Sequence, residues 1–490
     1  MSVFSPGERI SLTDLFLRLV FAYCAKWEPG RPHLAYMFPA AGASGTKPCP
    51  KCLNVVSFRS DLASGSELLV TLAETRMDKL VPATSATIFE SYDRLATYCG
   101  SKKGFDQLEK RLGWSWHPRC VLADTSLRPR LRPVDTMWMD PLHTFVADGV
   151  MSQELALLCM RMAEQTQQGL GWRSLATFCV QEVAWHYGSD SSGRSAWFSE
   201  RRIAASIAAQ SYKGPASAVL SFFMVVAHFV ETVLLPKRQL APAAESYLAL
   251  AYVVFLVFLP GCVHHRIRNS ADALSAAVCR HLALWRLAYP NSRARPKHHQ
   301  TMHMAQQAKY ASLMNCFTLE RKHQDYKDLA DLVPVGSGWK LAVTQRLAQA
   351  TLAGLASYDD AAVAVNNPSA LAEGHEVLAL LRGCGLDVCS ASASLRACVH
   401  GLHVVRNDAL VIASPRGERY LLADIFVVAQ PGPRLLIVGR PGSVESTARC
   451  SQVWRFDEGL AWAELEHVVM KCCWTKVSAH RIVACRWSEV

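Results

Sequence analysis

The chain has 490 residues, half of them hydrophobic and 19% charged, which excludes a disordered protein and leaves room for roughly two to four domains. Its formal charge of +11 is spread along the sequence, a mild basic excess that suits polyanion binding and equally suits many ordinary soluble proteins. The 17 cysteines are irregularly spaced, and the opening Met1–Ser11 holds Pro6, Glu8 and Arg9 where a secretory signal needs an apolar core; free thiols in a reducing, intracellular compartment are expected rather than a disulfide framework.

No internal repeat of about 20–50 residues is visible. The first segment offers one apolar helix, Leu12 to Ala25, followed by a Pro/Gly-rich stretch. From Gly65 to Leu112 the pattern is polar, with short amphipathic runs. Met151 to Leu355 reads as helix after helix, for example from Gln153, over Arg201 to Gln210 and over Ser270 to Leu287, with apolar residues at three- and four-residue steps. Within it, Ala216 to Leu235 and Tyr247 to Leu259 are apolar enough to resemble membrane spans. Ser221, His228 and Glu231 interrupt the first, and Pro260–Gly261 ends the second short of the about 18–20 residues a span needs. Although His264, His265, Arg266 and Arg268 form a basic flank, core helices are the favoured reading and a membrane-associated protein the alternative.

Tyr358 to Gly374 turns to Ala, Asn, Asp and Pro, the composition of a linker. Beyond it, Gly401 to Ala413, Arg419 to Val428 and Arg434 to Val438 are β-branched runs, punctuated by Asn407–Asp408, Pro415–Gly417 and Pro431–Pro433. The expected fold is therefore α+β, mainly helical, with a small β-rich C-terminal domain that packs or oligomerises. Cys384, Cys389 and the Cys472–Cys473 pair are expected to be buried small hydrophobes.

Four local clusters bear on chemistry. Cys49 and Cys52 form a CxxC whose two thiolates have the spacing to share one zinc ion; the Gly42–Gly45 turn and Pro50 favour a tight knuckle. A pair of this kind also arises by chance in so cysteine-rich a chain. His299 and His303 stand one helical turn apart on one face, although Arg293, Arg295 and Lys297 make a basic, solvated helix start an equally ordinary reading. Taken together the two pairs supply four ligands and no open position, the donor set of a structural site joining distant segments. Glu320 and Asp325 lie among Arg321, Lys322, His323 and Lys327: either a solvated face of ion pairs, or a carboxylate that holds magnesium beside DNA phosphates contacted by Arg321, Lys322 and Lys327. Asp140 before Pro141 has the form of a helix N-cap with proline at the first helical position.

In this order the clusters resemble transposases of the CACTA type. Gly42 to Val56 is similar to that group's CxxC segment, and Asp140–His143 with Gly149–Val150 to its Asp-x-Met-His helix, with Leu142 in the methionine's place. Lys297 to His303 and Phe317 to Arg321 are similar to its closing His-rich and F-x-x-E-R stretches. The resemblance covers about Gly42 to Lys327. It implies a partial RNase H-like fold with a large helical insertion, and zinc on Cys49, Cys52, His299 and His303, as in the related V(D)J recombinase. It implies Glu320 as the third metal-binding acid, with Asp140, accompanied by His143, as the competing candidate. The domains would then be 1–135, a partial RNase H-like region with the knuckle; 136–290, the insertion; 291–356, the His-rich and closing Glu helices; 357–390, a linker; and 391–490, the β-rich domain.

Two further carboxylates from early strands are needed before magnesium can activate a nucleophile. Leu15 to Pro48 offers only Glu28, and Asp14 lies too far upstream on the apolar helix. The expectation is a transposon-derived, zinc-binding and DNA-binding nuclear protein, with a packing or oligomerising C-terminal domain and without strand transfer; a complete transposase beginning further upstream, or an interaction scaffold, are the alternatives.

Overall fold

The computed structural model describes residues 45–57, 69–118, 120–136, 139–165, 171–180, 185–187, 196–238, 240–258, 266–310, 345–346, 349, 363–399, 402–414, 417–430, 434–478 and 480–485. It is a mixed helical and sheet structure, as expected.

The chain enters through the knuckle and a short parallel pair, β1 (Val55–Val56) and β2 (Val70–Thr71). No larger sheet precedes residue 363 among the described residues. A small two-helix unit follows. Thr84 caps α1 (Ser85–Ala96) in a reciprocal capping box with Thr87, and Ser101 caps α2 (Lys102–Leu112). Gly113 ends α2 in the left-handed region at φ 78°, where a Cβ would also meet the Lys47 side chain at 2.8 Å. Ile88, Tyr92, Leu95, Trp114 and Leu122 form this unit's own core.

The main helical body is built round α3 (Val150–Glu164), buried from Val150 to Cys159 at every position, as a central helix must be. Around it lie α4 (Trp172–Val180), α5 (Glu200–Ala209), α6 (Ala216–Phe229), α7 (Ala241–Phe258), α8 (Arg266–Ala288) and α9 (Pro296–Tyr310). Single π turns, Leu142–Val146 before α3 and Val230–Leu234 after α6, re-aim the chain. The second apolar stretch is longer than its sequence suggested, because α7 starts at Ala241. Two segments, Ala218–Lys237 and Ala241–Phe258, are long and apolar enough to cross a membrane by length and composition alone, and 56% of each is buried in this fold. His228 lies against Phe178 and Trp185, and Ser246 is fully buried.

The stretch expected as a linker, 357–390, carries β3 (Val363–Val365), β4 (Ser369–Ala370) and α10 (Glu376–Gly383) in its described part. The strands after it are β5 (Ser390–Ser394), β6 (Arg396–Val399), β7 (Leu402–Val405), β8 (Ala409–Ser414), β9 (Gly417–Gln430), β10 (Arg434–Thr447), β11 (Ser451–Phe456), β12 (Ala461–Glu464), β13 (Val468–Ser478) and β14 (Arg481–Cys485). β8, β9, β10, β11, β14 and β13 pair antiparallel in a closed ring, because β13 joins β14 on one side and β8 on the other. Alternate residues, including Val411, Leu422, Trp454, Phe456, Trp474 and Ile482, form its core. The opposite face of β8 and β9 packs on the small sheet β3–β6–β7. The long strands bend at register shifts, and at Gly439 a Cβ would lie 2.2 Å from the Leu422 carbonyl oxygen, so only glycine allows that approach. Cys472 is buried as expected, but Cys384 and Cys389 are exposed, since α10 ends at Gly383 and the chain then crosses the surface to β5.

This barrel is docked on the helical body. His186 and Trp474 exchange backbone hydrogen bonds (2.7 and 3.3 Å) and stack their rings at 4.0 Å. The Glu231 carboxylate accepts the backbone N–H groups of Arg449 (2.8 Å) and Cys450 (3.0 Å) in the turn between β10 and β11.

Candidate metal centre

The CxxC turn is held by hydrogen bonds that leave its thiols facing inward. Thr46 accepts from Ser57 N–H, Val81 from Leu53 N–H, and Lys51 from Ala83 N–H. The Asn54 amide donates to the Lys79 carbonyl (2.8 Å) and accepts from Val81 N–H (2.9 Å), pinning the turn to the segment before α1. Opposite it, α9 begins at Pro296 and is fixed at several points. Lys297 donates to the Ala147 and Asp148 carbonyls, Arg295 to those of Ala209 and Gln210, and Gln307 accepts from Met139 N–H.

Between these two frames Cys49, Cys52, His299 and His303 converge, all buried, with their ligand atoms within 4.8 Å of one another. Cys49 Sγ is 3.1 Å from His303 Nε2; Cys52 Sγ is 3.4 Å from both His299 Nε2 and His303 Nε2; the two imidazole nitrogens are 3.0 Å apart. Tetrahedral zinc, with its usual bond lengths, sets sulfur–nitrogen edges of about 3.5 Å and nitrogen–nitrogen edges of about 3.3 Å. The observed edges agree within a few tenths of an ångström, so the donor set, its geometry and its burial fit a closed Cys₂His₂ metal site. His303 supplies a further sign. Its Nδ1 meets Gln306 Oε1 at 2.9 Å, the contact that places the ring proton on Nδ1 and leaves the Nε2 lone pair aimed at the cluster.

The electrostatics move the two thiols in opposite directions. Burial opposes ionisation of Cys49, but the hydrogen bond from Cys52 and the charge of His303 hold its thiol well below the usual range. Cys52, donating that hydrogen bond and buried, is pushed up. Burial opposes charging His303 too, and the Cys49 thiolate outweighs it and raises that imidazole. Metal binding at such a donor set would displace the thiol protons. Burial lowers Lys51, while both thiols pull it the other way, so its ammonium sits within their field.

Of the residues singled out in the sequence, these four are brought together. Asp140 is not among them. It is buried and caps the following turn, accepting from His143 N–H (2.9 Å) and Leu142 N–H (3.4 Å), with His143 Nδ1 also on its carboxylate. The cap is in keeping with the Asp–Pro reading. Glu320, Arg321, Lys322 and Lys327, with Asp325, lie outside the described residues. Sequence reasoning did not find Gln306 or Asn54. Gln306 follows His303 at a helical spacing of three, a weak signal, and Asn54 has no motif at all. Nor did it find the buried pair of Glu154 on α3 and His281 on α8, 3.4 Å apart in the core of the helical body.

No protein-family model, no curated protein and no solved structure matches the chain.

Proposed function

We propose that this chain is a transposon-derived DNA-binding protein whose helical body is closed by one structural zinc ion on Cys49, Cys52, His299 and His303. The observation that carries the reading is the convergence of a CxxC and an HxxxH, separated by about half the chain, on one buried four-donor cluster. Two thiolates balance the charge of a divalent ion, and four protein ligands leave no open position, so the site's role is to staple rather than to catalyse. The order of the motifs around it is the order in CACTA-type transposases, which is the ground for assigning a partial RNase H-like region interrupted by the helices from α3 to α8.

Strand transfer is not part of the proposal. Glu320 would be one of the three carboxylates that such magnesium chemistry uses, and the proposal is confined to zinc and DNA binding. In this reading the protein acts in the nucleus, with DNA phosphates as the target of its basic excess.

The test is equilibrium binding of the zinc-loaded full chain to a fluorescent duplex DNA. Affinity is expected to fall steeply between about 50 and 200 mM salt, as phosphate neutralisation requires. A chain that holds zinc and binds no duplex, or binds it with no salt dependence, would overturn the DNA-binding half of the proposal.

A further inference from the structure

The two-helix unit beside the knuckle carries a disproportionate share of the positive charge. Between Arg94 and Arg132, lysines and arginines outnumber acidic residues three to one. Arg94, Lys102, Lys103, Lys110, Arg111 and Arg130 are exposed, and none of them forms an ion pair among the described residues. Arg128 is the contrast: it is half-buried, fixed on Asp93 at 2.7 Å and stacked over Phe89, a structural arginine. The exposed cations have no such structural partner.

Their arrangement follows from the helix. α2 turns Phe105, Leu108 and Leu112 toward the unit's core, which leaves Lys103 and Lys110, two turns apart, on the outward face, with Lys102 and Arg111 flanking them at the two ends. Asp106 is the one acid exposed on that face. At 1.5 Å per residue the two basic ends stand about 12 Å apart, close to the width of the DNA major groove, so one helix can reach phosphates on both of its walls. Single-stranded nucleic acid calls for exposed aromatic platforms on which bases stack. Here Tyr92 and Trp114 are buried, Phe89, Phe105 and Trp116 are half-buried against the core, and Tyr98 is half-buried against Phe105. The surface suits the outside of a duplex instead.

The unit also lies beside the candidate metal site. A small cleft of about 20 Å³ is walled by Cys49 and Cys52 on one side and by Ile88, Ser91 and Trp114 on the other, and the left-handed Gly113 seats the end of α2 against Lys47.

We propose that the outward face of α2, with Lys102, Lys103, Lys110 and Arg111, is the surface on which this protein docks the phosphate backbone of duplex DNA. This rests on the DNA-binding reading above and assigns it a place. The experiment compares the full chain with a triple variant, Lys103→Gln, Lys110→Gln and Arg111→Gln. A control variant carries Lys237→Gln, Arg396→Gln and Lys476→Gln, exposed cations on other parts of the fold. Each lost phosphate contact lowers the slope of log affinity against log salt by about 0.9, so the triple variant is expected to lose about 2.7 and the control almost nothing. Circular dichroism and zinc content unchanged from the native chain verify that the triple variant is folded. A wild-type slope in the folded triple variant, or an equal loss in the control, would overturn the assignment while leaving DNA binding in place. A native chain that binds no duplex at all removes both.

Discussion

Replacing His303 by alanine removes one ligand of the proposed zinc site and the ring that contacts both sulfurs, and the cost can be worked from the chain length the site closes. Cys49 and His303 are 254 positions apart, and Cys52 and His299 are 247. Treated as a cross-link on a loop of that size, the staple removes about 5.5 kcal/mol of chain entropy from the unfolded state. Part of that is retained by partial ligation and by the packing of α9, so a loss of about 3–5 kcal/mol is expected, equivalent to a fall in Tm on the order of 10 °C. The assay is thermal unfolding in reducing buffer, for both chains, with and without a tight zinc chelator. Chelation should lower the native chain to the level of His303→Ala and leave His303→Ala itself almost unmoved, because the two perturbations remove one interaction. Additive losses, or a native chain indifferent to the chelator, would refute the reasoning.

Glu231→Ala deletes the acceptor of two backbone N–H groups at the turn between β10 and β11, and should cost about 2 kcal/mol and speed hydrogen exchange at Arg449 and Cys450; unchanged exchange there would mean the barrel is held by other contacts. Gly439→Ala forces a methyl group into the Leu422 carbonyl and should destabilise the barrel by about 1–3 kcal/mol, read by chemical denaturation, whereas a neutral result would contradict the closeness of β9 and β10. His228 is held neutral chiefly by burial, which lowers its pKa despite the nearby Glu231. The unfolded chain thus binds its proton first, so stability is present above about pH 6.5 and is lost as the pH falls from there through the lowered folded value, by at most about 1.4 kcal/mol per pH unit. His228→Phe should flatten unfolding free energy between about pH 6.5 and 5, and an identical pH profile in the variant would rule that assignment out.

The Cys/His cluster was legible because its information is local. A CxxC and an HxxxH each fix two donors at a spacing one ion can span, and their sum is recognisable without knowing the path between them. Helices such as α5, expected over Arg201 to Gln210 and found over Glu200–Ala209, were legible for the same reason, since apolar periodicity is a local property. What the sequence did not disclose depends on pairing between remote segments. Nothing local in β13 says that it closes a ring by joining both β8 and β14. The Ala/Asn/Asp stretch near 363–370 has a linker's composition, yet it forms strands because β6 and β5 offer edges there. Glu231 read as a polar interruption of an apolar helix, and its partners lie more than two hundred residues away. Cys384 and Cys389 show the converse: cysteine's usual burial is a tendency of the residue type, and the surface path from α10 to β5 overrides it.

The central claim is that Cys49, Cys52, His299 and His303 hold one zinc ion in the folded chain, and native mass spectrometry paired with elemental analysis measures it most directly. The account predicts one zinc per chain of 54.1 kDa, falling to near zero in Cys49→Ser and His303→Ala. A fully folded native chain that contains no zinc, and takes up none when zinc is supplied in reducing buffer, would contradict it.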